Sequence, residues 1–274
     1  MTALLEAYTE KIASGEARAD AAQAAIISRL DHLAQALEAR EQRGTLGRLL
    51  NRNGVPKGVY IYGDVGRGKT MLMDLFCQEA QIPHKKRIHF HAFMADVHAR
   101  VHEWRQLKKH GKISGDAPIA PVADKLADEA WLLCFDEFAV TDIADAMILG
   151  RLFQGLFDAG TTVVATSNAH PTELYRNGLN RQLFLPFIDT LQRHVTVMTL
   201  DSDTDYRLEK LDRLAVYLTP LGEQAKRRMD ETWAAFTEVR AAAPEAVSYT
   251  HLRAHETPEH LVCRLLLEKK NNTQ

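Results

Sequence analysis

The sequence has few cysteines and little net charge. Its 274 residues include three cysteines, Cys77, Cys134 and Cys263, and their spacing does not suggest a disulfide framework. Lys and Arg total 34 and Asp and Glu total 36, so the formal net charge is only -2. A charge so close to zero gives no overall attraction to nucleic acid or to acidic membranes. We therefore expect a protein from a reducing compartment that has no nucleic-acid partner.

The sequence also lacks long apolar runs. No stretch approaches the roughly 20 apolar residues of a membrane-spanning helix. The first residues, MTALLEAYTEKIASGEARAD, have no apolar signal core and are too acidic for a typical transit peptide. We expect cytoplasmic localisation, without an integral membrane span and with peripheral membrane association left open.

Hydrophobic residues make up 46% of the chain, enough to bury a substantial core. Apolar segments typical of strands alternate with helical patterns over residues 56–203. The predicted strands are 58–62, 87–91, 131–135, 161–166 and one within 191–200, and the predicted helices are 71–80, 93–109 and 143–157. This alternation predicts an α/β fold, a parallel sheet flanked by helices, with ligands at the carboxyl ends of the strands. Residues 1–55 are predicted as an N-terminal helical region and linker, with a helix over 21–40.

A phosphate-binding loop follows the first predicted strand. It consists of Gly63, Asp64, Val65, Gly66, Arg67, Gly68, Lys69 and Thr70. Glycines let the backbone wrap a phosphate closely, since side chains would collide and some positions require positive φ. We expect the backbone N–H groups to bind the phosphates of ATP, Lys69 to reach the β- and γ-phosphates, and Thr70 to ligate Mg²⁺. The strand before the loop and the helix after it are the context that the motif requires.

Polar residues end the later strands. Asp136 and Glu137 follow an apolar strand, one βα unit after the loop. We expect Asp136 to hold Mg²⁺ through water and Glu137 to polarise the attacking water. Asn168 follows the next strand and can orient that water beside the γ-phosphate. The ordinary alternative for such an Asn is a turn residue or a helix cap.

Together these elements resemble the AAA+ branch of P-loop ATPases, in which an inserted strand next to the P-loop strand carries the sensor. Longer motifs resemble the ZapE-type ATPases, the bacterial cell-division branch of the Afg-one-like family, and the resemblance covers about residues 1–245. These motifs lie at 58–76, 89–94, 135–147 and 178–188. The resemblance implies that Arg181 is an arginine finger for a neighbouring subunit of a homo-oligomer. It also places Asp20 and Gln23 near the nucleotide base, with a helix cap and a solvated face as the alternative.

The resemblance implies Mg²⁺-dependent ATP hydrolysis that drives a step on a protein partner. For cell-division members that partner is the division apparatus and its tubulin-like ring protein, and for mitochondrial relatives the role is protein quality control. One alternative is a DNA-associated AAA+ initiator or helicase loader. The near-neutral charge and the lack of an evident helix-turn-helix motif count against it. Another is a scaffold that binds ATP and barely hydrolyses it.

Two further groups of residues resemble binding motifs, but we interpret them as ordinary structural or solvated residues. His98 and His102 have the i, i+4 spacing of a zinc pair, but Ala99 stands where an HExxH motif has its acid, and we expect no metal there. Lys108, Lys109 and Lys112 form a basic turn that we interpret as solvated rather than as a nucleic-acid site.

The end of the sequence is expected to be incomplete and partly non-native. Residues 204–246 are predicted to start a C-terminal helical lid, with a helix over 230–239. Within 247–274, VSYTHLRAHET and LVCRLLLEKK resemble the two ends of a transposase-type sequencing adapter read in one frame. A native tail is the alternative. On the adapter interpretation, Cys263 and the tail histidines are not metal ligands, and the chain binds ATP but assembles and hydrolyses poorly.

Overall fold

The structure is a computed structural model that describes residues 2–17, 19–42, 54–115, 117–200 and 226–227. All of these except 226–227 lie in the unit Met1–Glu209. The helices are α1 (Ala3–Ala13), α2 (Ala21–Gln42), α3 (Lys69–Glu79), α4 (Phe90–Lys109), α5 (Ile119–Glu129), α6 (Ile143–Asp158) and α7 (Leu185–His194). The strands are β1 (Gly58–Tyr62), β2 (Lys85–His89), β3 (Leu132–Asp136), β4 (Thr162–Ser167) and β5 (Val195–Thr199). Among the described residues, no helix combines the length and the apolar content needed to cross a membrane.

The five strands form one parallel sheet in the order β2-β3-β4-β1-β5. The predicted parallel α/β fold is therefore confirmed, and β4 is inserted between β1 and β3 as the resemblance implied. The register pairs Tyr62 of β1 with Ser167 of β4, and His89 of β2 with Asp136 of β3. The carboxyl ends of β1, β3 and β4 thus meet at one edge of the sheet, where open α/β sheets bind their ligands.

Successive side chains of each strand enter different cores, because strand side chains alternate between the two faces of a sheet. Val59 and Ile61 of β1 pack with α1, α2 and α3, whereas Tyr60 packs with α4, α5, α6 and α7. Side chains from β3 alternate in the same way, with Cys134 on the first face and Phe135 on the second. This burial of both faces explains why β1, β3 and β4 are almost continuously apolar in sequence.

The N-terminal helices belong to the core of the sheet. Ile26, Leu30 and Leu33 of α2 are fully buried against α3 and β1. Full burial of each such side chain contributes about 1.5–3 kcal/mol. The carboxylate of Asp20 caps α2 by accepting from the backbone N–H groups of Ala22 at 2.8 Å and Gln23 at 3.0 Å. Most of the linker predicted at the end of region 1–55, residues 43–53, lies outside the described residues.

Two segments are helical although no helix was predicted there. Between the predicted helix 93–109 and the predicted strand 131–135, α5 begins at Ile119, and Pro121 is tolerated because it lies in the first turn of the helix. The strand predicted within 191–200 is β5 (Val195–Thr199), whereas residues 191–194 belong to α7. Phe187, Ile188 and Leu191 have helical spacing and are buried together, and short apolar runs do not distinguish a helix from a strand. The predicted helix over 230–239 lies outside the described residues.

The edge strand β2 also begins and ends earlier than predicted. It spans Lys85–His89 rather than 87–91, because Phe90 already starts α4. The ring of Phe90 packs on those of Phe135 and Phe138, with centroids 5.7 and 4.0 Å away. The aromatic core therefore sets the start of α4.

Gly58, at the start of β1, lies against the backbone of Val163 in β4 and provides a test of the sheet packing. A Cβ atom at Gly58 would lie 1.8 Å from the backbone oxygen of Val163, so the strands would have to move apart. We expect Gly58→Ala to lower the free energy of unfolding by about 3 kcal/mol, measured by urea denaturation. Gly150→Ala, within α6, is the matched control, since the described atom outside α6 that a Cβ there would meet is the Cβ of Phe187, at an ordinary contact distance of 3.9 Å. Equal stability of the two variants would contradict this packing.

Candidate functional site

The phosphate loop connects β1 to α3 at the shared edge of the sheet. Gly66 and Gly68 have φ values of 86° and 90°, a left-handed conformation that costs little only for glycine. Gly68 precedes α3 directly, so the N–H groups of the first helical turn, which have no acceptor within a helix, lie next to the loop. Lys69 and Thr70 form that first turn, and Thr70 is exposed. The loop therefore has the geometry of an anion-binding cradle.

Lys69 extends back over the loop. Its ammonium group donates hydrogen bonds to the backbone oxygens of Gly63 at 2.6 Å and Asp64 at 2.7 Å. These contacts hold the cation at the mouth of the cradle. A phosphate bound by the loop would lie within reach of the same ammonium group.

Side chains of the N-terminal helices α1 and α2 hold the phosphate loop through hydrogen bonds. The amide of Gln23, which is 1% exposed, donates to the backbone oxygen of Arg67 at 3.2 Å. The hydroxyl of Tyr8 donates in turn to the Gln23 carbonyl at 3.4 Å. The structure thus places Gln23 against the loop and Asp20 at the helix cap, while a contact of either with the nucleotide base stays a prediction.

Asp136 is buried at the end of β3 and is paired with a residue that the sequence analysis missed. Arg87 Nε on β2 donates to Asp136 Oδ2 at 2.7 Å, and the same guanidinium pairs with Asp74 of α3. Burial opposes the charge of Arg87, but the hydrogen bonds to Asp136 and Asp74 outweigh it and raise the pKa of Arg87 above its ordinary value. The only sequence signal was a cation within a strand that precedes the acidic strand. Arg87 therefore ties the acid to the helix that follows the loop.

Glu137 leaves the sheet in a left-handed conformation, with φ of 54°. Its backbone N–H donates to the hydroxyl of Thr166 at 3.2 Å, and the next N–H, that of Phe138, donates to the Thr166 carbonyl at 2.7 Å. The Phe138 ring is fully buried, whereas Glu137 is exposed. The carboxylate of Glu137 is thus displayed at the same edge as the loop.

Asn168 is exposed directly after β4, in a turn that its neighbours hold. Ser167 donates from its hydroxyl to the Phe138 carbonyl at 2.7 Å and accepts from the N–H of Ala169 at 3.2 Å. The Tyr60 hydroxyl donates to the Ala169 carbonyl at 3.0 Å, and burial raises the pKa of Tyr60. Tyr60 therefore stays a neutral donor. Its hydrogen bond and those of Ser167 hold the turn that contains Asn168.

Arg181 lies in a different part of the unit. It begins a short 3-10 helix, Arg181–Leu183, and donates to the backbone oxygen of Thr172 at 2.6 Å. Its neighbours Leu179 and Leu183 are 69% and 68% exposed. The apolar run that follows this short helix forms α7. Arg181 is thus half-buried next to exposed leucines, with its Nε buried and unpaired among the described residues, and its hydrogen bond joins it to Thr172 rather than to the phosphate loop.

His98, His102 and Lys108, for which no metal or nucleic-acid role was predicted, each contact a different side chain. His98 Nε2 lies 2.6 Å from an oxygen of Asp145 on α6. The ring of His102 instead lies 3.4 Å from the side-chain amide of Gln106. The ammonium of Lys108 lies 5.9 Å from the ring centroid of Trp104, a cation–π contact.

The sheet order, the phosphate loop and the acidic strand end define a P-loop ATPase fold of the AAA+ type. The chain belongs to the AFG1-like ATPase family, whose model matches residues 2–268. The ZapE-type resemblance is confirmed with it. The matched range includes most of 247–274, a segment outside the described residues, whose adapter origin stays a prediction.

Two relatives show how far the similarity extends. Lactation elevated protein 1 homolog B of Danio rerio is 52% identical over 159 residues, which are 57% of this chain and 32% of that protein. Cell division protein ZapE of Escherichia coli strain K12 is 46% identical over 180 residues, 65% of this chain and 46% of ZapE. The chain thus spans less than half the length of these relatives.

A solved structure, that of a putative primosome component from Streptococcus pyogenes serotype M3, has a TM-score of 0.38 and 19% identity. The alignment covers 64% of this chain and 80% of that one. At this level the similarity bears on neither activity nor substrate.

Proposed function

We propose that this chain binds ATP together with Mg²⁺ and hydrolyses it. The observation that carries the proposal is the meeting of three elements at one edge of the sheet: the loop with Lys69, the acids Asp136 and Glu137, and Asn168. Their spacing in sequence is large, yet the order β3-β4-β1 makes them neighbours. Membership of the AFG1-like ATPase family supports the same reaction.

The donor atoms at this edge suit Mg²⁺, which prefers oxygen ligands and retains several waters. Thr70 offers an exposed hydroxyl in the first turn of α3, and Asp136 offers a carboxylate at the end of β3. The contact of Arg87 with Asp136 Oδ1 is long, at 3.4 Å, which leaves that oxygen available to accept from a metal-bound water. When bound, Mg²⁺ would neutralise charge on the β- and γ-phosphates.

We assign phosphate binding and activation of the attacking water to residues of the chain itself. The backbone N–H groups from Asp64 to Thr70 and the ammonium of Lys69 bind the phosphates. Glu137 accepts a proton from the attacking water, and Asn168 orients that water. Both residues are exposed, and each follows the carboxyl end of a strand, β3 for Glu137 and β4 for Asn168, which supports these roles.

We place Arg181 in the active site of a neighbouring copy of the chain, so that the working form is a homo-oligomer. The exposed Leu179, Leu183 and Leu185 beside Arg181 support this, since large exposed aliphatic side chains in a fixed loop favour burial against another protein surface. The loop is fixed because Tyr175 donates to the Leu179 carbonyl at 3.0 Å and Phe184 is fully buried.

We propose that ATP hydrolysis drives a conformational step on a protein partner and that this step belongs to cell division. The support is the relative whose name is Cell division protein ZapE, and the division-ring protein is the partner that this analogy selects. Co-precipitation of a tubulin-like ring protein with the ATP-bound chain would test it. Equal recovery with and without ATP would contradict nucleotide-dependent action.

Lys69→Ala tests nucleotide binding itself. Hydrogen bonds to charged groups contribute about 1.5–3 kcal/mol, so we expect the affinity for ATP to fall about 50-fold. Titration with a fluorescent ATP analogue measures it, and the melting temperature of the nucleotide-free protein monitors folding. Lys112→Ala, on an exposed turn, is the control and should bind as the wild type does. Wild-type affinity in the Lys69 variant would overturn the proposed site.

A further inference from the structure

The backbone at Glu137 has a conformation that must be held in place. A φ of 54° is disfavoured for any residue that has a Cβ atom. Asp136, on one side, is fixed by the β3 ladder and by Arg87. Phe138, on the other side, is fixed by its buried ring and by hydrogen bonds through its N–H and carbonyl groups. The peptide N–H of Glu137 lies between these two anchors and binds the Thr166 hydroxyl.

The hydroxyl of Thr166 is well suited to hold that N–H. Thr166 is 3% exposed, and its Oγ1 accepts from Glu137 N at 3.2 Å while donating toward the Phe135 carbonyl at 3.5 Å. The shorter of the two contacts is the one with Glu137 N–H, and a hydroxyl oxygen has the lone pair needed to accept it. The position itself is a buried site in a strand that follows Val163, Val164 and Ala165, where valine would pack as well as threonine. The hydroxyl is the part that packing alone does not explain.

We propose that Thr166 is a positioning residue for hydrolysis, whose hydroxyl fixes the peptide of Glu137 so that the carboxylate faces the attacking water. This inference rests on the proposed role of Glu137 as the base. The same strand presents Asn168 two residues later, so the base and the amide that orients the water share one rigid frame. Such shared support matters because a displacement of about 1 Å can reduce a rate about 100-fold.

Thr166→Val in the full chain is the central experiment. We expect kcat for ATP to fall about tenfold, with KM and the binding of a fluorescent ATP analogue within about twofold, because only the base is displaced. Thr166→Ser keeps the hydroxyl and should restore kcat to within about threefold of wild type. Thr162→Val is the matched control: it lies on the same strand, is 2% exposed, and its hydroxyl contacts the Pro56 carbonyl at 3.4 Å. Thr162→Val should leave kcat unchanged.

Two further measurements separate positioning from a structural defect. In a Glu137→Gln background, Thr166→Val should cause no additional loss of turnover, since Thr166 acts through Glu137. Amide hydrogen exchange at Glu137 should become faster in Thr166→Val but not in Thr162→Val, and this readout does not depend on turnover.

The outcomes distinguish this inference from the function on which it rests. An active wild type whose kcat is unaffected by Thr166→Val would overturn the positioning role alone. Failure of Thr166→Ser to restore kcat, or an additive loss with Glu137→Gln, would do the same. A wild-type chain that binds ATP without turnover would overturn the proposed function and the inference with it.

Discussion

Replacing Glu137 by glutamine is expected to lower the rate of ATP turnover about 100-fold or more, while ATP still binds with nearly wild-type affinity. A general base contributes roughly 10²–10⁴-fold to a rate, and an amide of the same shape cannot accept the proton. The side chain is exposed and stands outside the ladder hydrogen bonds, so Gln should fit without disturbing the fold. Its backbone N–H can keep the bond to Thr166.

Phosphate release at saturating ATP and Mg²⁺ measures this loss, and a fluorescent ATP analogue measures binding. Glu103→Gln, an exposed acid on α4, is the matched control and should change neither quantity. Unchanged turnover in Glu137→Gln would mean that another group activates the water. A wild type that binds ATP and does not turn it over would favour the nucleotide-dependent scaffold.

The fold could be predicted where a local pattern is strong. A strand, a glycine-rich loop with Lys69 and Thr70, and a helix follow one another within about 20 residues, the range over which a sequence motif is specific. The position of β4 between β1 and β3 came from the resemblance rather than from the residues, and the sheet order confirms it. Strand order depends on lateral pairing, which the apolar pattern of a single strand does not encode.

The same limit explains what the sequence analysis missed at the candidate site. Arg87 meets Asp136 across 49 residues, and Thr166 meets Glu137 across 29. Both contacts depend on the register between adjacent parallel strands, so neither residue belongs to a recognisable motif. Arg87 looks like a solvated cation of an edge strand and Thr166 like an ordinary strand residue. The motif residues Lys69, Asp136 and Glu137 could be proposed from spacing alone, whereas the residues that hold them could not.

Replacing Arg181 by alanine is expected to reduce turnover about 1,000-fold, because an arginine finger that stabilises transition-state charge contributes roughly 10³–10⁵-fold. The guanidinium is anchored by its hydrogen bond to the Thr172 carbonyl, and Leu179, Leu183 and Leu185, which are close to it in sequence, are exposed. An anchored cation next to exposed aliphatic side chains suits a contact with another copy of the chain. Arg176→Ala is the matched control, since the Arg176 side chain is 72% exposed in the same loop and pairs only with Glu173 among the described residues.

A mixing experiment tests whether Arg181 acts between subunits. In a shared site, an Arg181→Ala subunit keeps its own Glu137, and a Glu137→Gln neighbour supplies the missing arginine. Mixing the two inactive variants in equal amounts should therefore restore about a quarter of wild-type turnover if subunits exchange at random. The chain is expected to assemble poorly, so rates should be compared at a protein concentration where wild-type turnover per subunit no longer rises. Wild-type turnover in Arg181→Ala alone, or no recovery on mixing at that concentration, would contradict an arginine finger supplied by the neighbour.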